Sequence, residues 1–219
     1  EEWAKGLVTK LMEITHGQWL YRNIRVHDKV TGTLASKKKE ELKEAILDQP
    51  YSTFDGSPLD ISAEEASPYG IAFNTDGTKM FIVGDDEYEV NQYSLSVPFD
   101  ITTGVTFDGN PFNVLSEEDS PYGLAFSVDG SKMFIIGSQD YEVNQYSLST
   151  PFDITSGVTY DGSPFNVVSE EGGPNGITFS PDGKRMFIVG DSDYKVIQYD
   201  LNAAFDITQG VIYNNKELL

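Results

Sequence analysis

The 219-residue sequence contains no cysteine, which rules out disulfides, thiolate metal sites and a cysteine nucleophile. It has no uninterrupted apolar run of about 18 residues, so no segment has the length and composition of a membrane-crossing helix. Histidine is almost missing: His16 and His27 are the only two, and both precede residue 51. Eleven residues apart with Gly17 between them, they are poorly spaced for a shared metal and read as ordinary packed or surface residues. Positive charge is scarce in one part of the chain only. Residues 1–50 carry nine Lys/Arg against eight Asp/Glu, whereas residues 51–219 carry six against 27. A body this acidic repels phosphate backbones, which argues against nucleic-acid binding through it. The step in charge places a domain boundary near Gln49-Pro50.

What the chain has in abundance is itself. Ser67–Asp119 and Ser120–Gly172 are identical at 39 of 53 positions, and a third copy begins at Gly173. Upstream, Phe54-Asp55-Gly56-Ser57-Pro58 matches Phe107-Asp108-Gly109-Asn110-Pro111 at the same offset. A period near 50 residues marks a repeat architecture whose units bury one another's faces. Each unit reads as four antiparallel strands. Gly70–Phe73 is short and apolar, and Asp76-Gly77 supplies a hairpin turn with Gly77, Gly130 and Gly183 in the left-handed region. Lys79–Val83 is a second apolar strand, and Glu89–Leu95 alternates as a half-buried third. The fourth starts at Val105-Thr106-Phe107 and runs past Gly109 towards Val114.

The pattern is clearest in Gly176–Gly190, GITFSPDGKRMFIVG, and resembles the β-propellers of the YVTN and NHL type. It implies a mainly β fold: a partial β-propeller of three four-stranded blades, with a stray outer strand and loop at 51–66 and blades at 67–119, 120–172 and 173–219. The WD40 Trp-Asp pair is absent. Ahead of the repeats, the apolar spacing of Trp3, Leu7, Val8, Leu11 and Met12 predicts an amphipathic helix, and a second is predicted over Ala35–Leu47. Residues 15–46 resemble a helical segment of retroelement-type open reading frames of eukaryotic algae. That implies a fused segment and brings no functional residue with it.

Two loops of each blade belong at the same end as the entry to its inner strand, and both are acidic. They hold Glu64, Glu65, Glu117, Glu118, Asp119, Glu170 and Glu171 in one kind, and Asp85, Asp86, Glu87, Asp140, Asp191 and Asp193 in the other. Tyr69 and Tyr122, with Tyr88, Tyr141 and Tyr194, fall at that end too. Turns favour Asp on local grounds alone. The loops at the other end, such as Ser96-Val97-Pro98, read as not acidic, so a segregation of the acid is expected. The expectation is a non-enzymatic binding or structural scaffold whose acidic face takes a basic protein partner or cations. No cofactor is implied, and calcium is the conceivable ion, although no dedicated calcium loop is present. The alternative is a fragment of a calcium-assisted, lactonase-like propeller hydrolase. No Gly-x-Ser-x-Gly elbow or phosphate-cradling glycine loop supports it, and near-identical blades do not readily supply an asymmetric active site. Three blades make half of a six-bladed ring, so with natural chain ends a homodimer that closes the ring is expected, the alternative being a monomer whose N-terminal helices cover one open face. In the dimer the stray strand of each chain, around Phe54–Ile61, completes the partner's last blade, and open faces carry residues such as Phe73, Ile82, Phe126 and Ile135.

Overall fold

A computed structural model describes residues 58–192 and 194–214, which fall within a compact unit spanning Ser57–Leu219. The expected N-terminal helices, both histidines, Phe54 and Asp193 lie outside the described residues.

The described chain is entirely β, in three sheets of matching topology. The first is β1 (Pro68–Phe73), β2 (Lys79–Gly84), β3 (Glu89–Leu95) and β4 (Val105–Phe107), paired in that order and antiparallel. A short β5 (Phe112–Asn113) returns to the same edge of β3 beyond β4. The expected fourth strand is therefore one strand broken in two. The break falls at Gly109 and Asn110, both left-handed, so the chain cannot keep its pleat there. The second sheet repeats this with β6 (Pro121–Phe126), β7 (Lys132–Gly137), β8 (Glu142–Leu148), β9 (Val158–Tyr160) and β10 (Phe165–Asn166). The third comprises β11 (Pro174–Phe179), β12 (Arg185–Gly190), β13 (Val196–Leu201) and β14 (Val211–Tyr213).

Alternation along β2 and β3 gives each sheet two apolar faces, so each must be covered on both. Phe81, Val83 and Val90 of the first sheet pack with Met133, Ile135 and Tyr146 of the second in one core. Phe134, Ile136 and Val143 pack likewise with Met186, Ile188 and Tyr199 of the third. Inner strands β1, β6 and β11 lie close together because glycine faces the neighbouring backbone. A Cβ on Gly70 would stand 2.6 Å from the Tyr122 carbonyl oxygen, and one on Gly123 would stand 2.8 Å from that of Asn175. This is the packing of propeller blades.

Two expectations need correction. Residues 58–61 form no strand; Leu59 and Ile61 instead pack on the first sheet beside Met80 and Tyr93. Phe126 and Ile135 lie in the core between the first two blades, Ile82 is buried and Phe73 half-buried, so none of them lines an open face. The cause is register: these side chains point toward the preceding blade or its remnant at 59–61. The uncovered positions are others, taken up below.

Candidate functional site

The two acidic loops of each blade do meet at one end, held by backbone hydrogen bonds. Asp85, Ser138 and Asp191 donate to the carbonyls of Ser67, Ser120 and Gly173 at 3.3, 3.3 and 3.1 Å. Before each inner strand the chain makes one tight turn. Glu64 and Glu65 both donate to the Ile61 carbonyl, and Glu117 and Glu118 both donate to that of Val114. Such a turn sends successive side chains in different directions, and that separates the fates of the paired glutamates.

The second glutamate of each pair goes inward. Glu65, Glu118 and Glu171 are fully buried, so they are not part of an exposed rim. Glu118 Oε1 accepts from the Ser120 amide at 3.0 Å, while its Oε2 has no hydrogen-bond partner. Burial, reinforced by Asp140 and Asp119, pushes its carboxyl up to about 7. Glu65 accepts from the Ser67 amide at 2.8 Å, and Glu171 from the amides of Gly173 and Ser192 at 3.0 and 3.1 Å. Glu171 thereby ties its loop to the turn after β12, while these bonds of Glu65 and Glu118 brace their own loops.

The first glutamate of each pair stays half-buried beside a tyrosine of the third strand. The Tyr199 hydroxyl donates to Glu170 Oε2 at 3.2 Å. Tyr93 and Tyr146 lie near Glu64 and Glu117 without closing a bond of good geometry. Burial and then these carboxylates raise all three phenols, Tyr93 to about 12.

Asp86, Glu87, Asp119, Asp140 and Asp191 are exposed at this end, with Asp85 half-exposed. In the third blade Lys195 stands where Glu89 and Glu142 stand, so its share of the charge is smaller. Among the described residues no three carboxylates come close enough together to hold a metal ion. The tyrosines are set apart by backbone. Tyr88, Tyr141 and Tyr194 all take positive φ, at 58°, 58° and 56°, an uncommon state for a bulky residue. The Tyr88 and Tyr141 carbonyls each accept from an amide of the second outer segment, Val114 and Val167, at 2.8 Å, which holds the turn in place. Tyr69 is exposed and packs edge-on against Tyr122, ring centroids 4.3 Å apart.

Sequence reasoning missed the links between blades. Gln92 donates through Nε2 to Asp108 at 2.6 Å and accepts through Oε1 from the Ile154 amide of the next blade at 3.0 Å. Gln145 does the same with Asp161 and Ile207, at 2.6 and 2.9 Å. The repeated Asn-Gln-Tyr of the third strand was the available signal. Near the second of these links, Lys132, Gln145, Asp161 and Asp206 border an open polar groove of about 470 Å³.

No family model and no curated protein matches this sequence. Solved structures do match in fold. A Bacteroides fragilis protein provisionally assigned as a 6-phosphogluconolactonase aligns with a TM-score of 0.50 at 12% identity, over 68% of this chain and 38% of that one. A Bacteroides uniformis protein with the same provisional assignment gives 0.49 at 17%, over 75% and 46%. The Cps50 (Swd1) β-propeller domain of a Myceliophthora thermophila protein gives 0.44 at 9%, over 60% and 39%. The chain thus spans less than half the length of these proteins, and the likeness concerns the propeller fold alone.

Proposed function

We propose that the repeats are a YVTN- or NHL-like propeller scaffold without catalytic function, whose acidic loop end binds a basic protein segment or cations. The observation that supports this reading is an imbalance of charge: the opposite end also exposes Asp76, Asp129 and Asp182, but with Lys79, Lys132, Lys184 and Arg185 near them, whereas the acidic end has Lys195 alone among the described residues. Asp86, Glu87, Asp119, Asp140 and Asp191 are exposed at one end, beside tyrosines on backbone in an uncommon conformation. Repetition favours an extended, multivalent surface over one reaction centre, because each blade contributes similar groups rather than distinct roles. The carboxylates supply long-range attraction, and the tyrosines supply flat area with a polar tip for cationic side chains.

Titration calorimetry with a Lys/Arg-rich peptide at low ionic strength tests it. Binding is expected, with an affinity that falls steeply with added salt. Replacing Asp86, Glu87 and Asp140 by Asn, Gln and Asn is expected to weaken it about tenfold, if each lost charge contributes about 0.5 kcal/mol. Equal binding by the triple variant would remove the acidic end from the explanation. In a parallel arm, if the acidic end takes cations as well, millimolar calcium should raise the melting temperature and the Asp85→Asn, Asp86→Asn, Glu87→Gln variant should lose part of that shift. A melting curve that ignores calcium would leave only the protein-partner reading.

A further inference from the structure

We infer that the far face of the third blade is a docking surface for another copy of this repeat, supplied in solution by the first blade of a second chain. This goes beyond the acidic end and does not depend on it. The chain builds one interface twice, and the far half of it recurs uncovered on the third blade and the near half on the first.

In both intact interfaces the far face of one blade presents an aromatic and two β-branched residues to the next. These are Phe81, Val83 and Val90 in the first, and Phe134, Ile136 and Val143 in the second, all 0% exposed. Each interface also has a hydrogen bond from an isoleucine amide of the following blade to a glutamine side chain, Ile154 to Gln92 and Ile207 to Gln145. At the first interface a lysine adds another link, Lys79 Nζ donating to the Phe152 carbonyl at 2.8 Å. The third blade carries the same set in the same register: Phe187, Val189 and Val196, with Gln198 and Arg185. No described residue covers it. Val196 is 75% exposed and Val189 46%, where their counterparts are at zero. Gln198 and Arg185 both turn to Asp200 of their own blade, at 3.3 and 3.6 Å.

The first blade shows the complementary deficit. Ile71 of its inner strand is 58% exposed, whereas Leu124, at the same place in the second blade, is 6% exposed against its neighbour. Ile101 is 36% exposed, whereas Ile154 and Ile207 are 2% and 3% exposed with their amides bonded to glutamine. Leu59 and Ile61 lie over the outer part of this near face. They stand one repeat before Phe112 and Val114, both of which are part of the intact first interface, so they belong to the joint and need not leave it.

Matching the two ends restores every term at once. Val189 and Val196 meet the near face with Ile71, Gln198 accepts from the Ile101 amide, and the Arg185 guanidinium reaches the Phe99 carbonyl. Any other partner would have to reproduce an apolar sheet face, an amide donor and a carbonyl at this spacing. The contact pairs an exposed far face with an exposed near face, so it takes both apolar patches out of water.

Sedimentation equilibrium of the whole chain, over about 5 to 200 µM, tests this. The average mass should rise from 24.3 kDa toward twice that value. Val196→Lys and Ile101→Asp, at positions exposed in the single chain, should each hold the mass at one chain while leaving the circular dichroism spectrum unchanged. A mass that stays at one chain at the highest concentration overturns the inference, as does a rise that neither variant affects. A rise blocked by Val196→Lys alone would mean that two far faces pack on each other, which rejects the head-to-tail contact.

Discussion

Replacing Glu118 by Gln is expected to make the protein more stable at pH 8 and to leave it about equally stable, or slightly less so, at pH 5. Glu118 is fully buried, and one carboxyl oxygen has no hydrogen-bond partner. Burial pushes its carboxyl up to about 7, against about 4.3 in an unfolded chain. The folded protein therefore keeps a proton that the unfolded chain gives up between those values. Stability from this site is fully present below about pH 4, falls as pH rises through the interval, and is lost above pH 7. The full cost of ionising it in place is of order 3 kcal/mol. Glutamine keeps a carbonyl to accept from the Ser120 amide and carries no charge. Its NH2 group would be short of an acceptor, at about 1 to 2 kcal/mol. The net gain at pH 8 is then about 1 to 2 kcal/mol, read as a higher urea midpoint. The decisive quantity is the difference between the two proteins at pH 5 and at pH 8, because the remaining titrating groups are common to both. A difference that does not change with pH would show that the buried carboxyl is ionised at little cost.

Glu118 also shows where the sequence stops being legible. The strands, the Asp-Gly hairpins and the repeat itself are written in local terms: alternation, a turn residue and a fixed period. All of these appear in the structure, with Gly77, Gly130 and Gly183 at φ of 72°, 72° and 66°. The direction of a side chain from a one-turn loop is not local. Glu117 and Glu118 are adjacent and chemically alike, yet one stays half-buried near Tyr146 and the other is sealed against the amide of Ser120. Only the return of the loop after β7 decides which faces the interior. The same holds for Gln92, whose value lies 62 residues away at Ile154. Polar residues in a strand read as a solvent face, and here they form the joint between blades. The split outer strand was legible in part: Gly109 marked an irregularity, and Asn110 beside it, of a type that tolerates the left-handed region better than most, reinforces that mark. Position along a loop was thus readable where burial was not, and for that reason the acidic end divides into an exposed part and a buried structural part.

The largest loss of stability is expected from Gly130→Val, at about 3 to 5 kcal/mol, and two costs combine to give it. Gly130 has φ of +72°, where a β-branched residue costs about 1 to 2 kcal/mol. A side chain there would also overlap the ring of Phe152, which lies directly on the glycine and packs against the core between the first two blades. The Phe152 amide donates to the Gly130 carbonyl at 3.0 Å, which fixes the backbone that carries the ring, so the ring can yield only by leaving its rotamer. Two residues on, Ile154 holds Gln92 of the preceding blade, so displacement would spread into the joint. Moving an aromatic ring out of a packed core costs several kcal/mol when complete, and partial displacement supplies the remaining 2 to 3, on the order expected for overpacking. Gly109 offers the control. It has nearly the same φ, +69°, but nothing lies within 4 Å of its would-be Cβ. Gly109→Val should therefore carry the backbone cost alone, about 1 to 2 kcal/mol. Urea unfolding of the two variants beside the parent protein separates the terms. Equal losses would mean that the Phe152 ring moves aside freely and that the turn is anchored by its backbone only. A loss at Gly130 that exceeds the loss at Gly109 by about 2 kcal/mol or more would establish the ring as the wedge that joins the first hairpin of the second blade to its own outer loop.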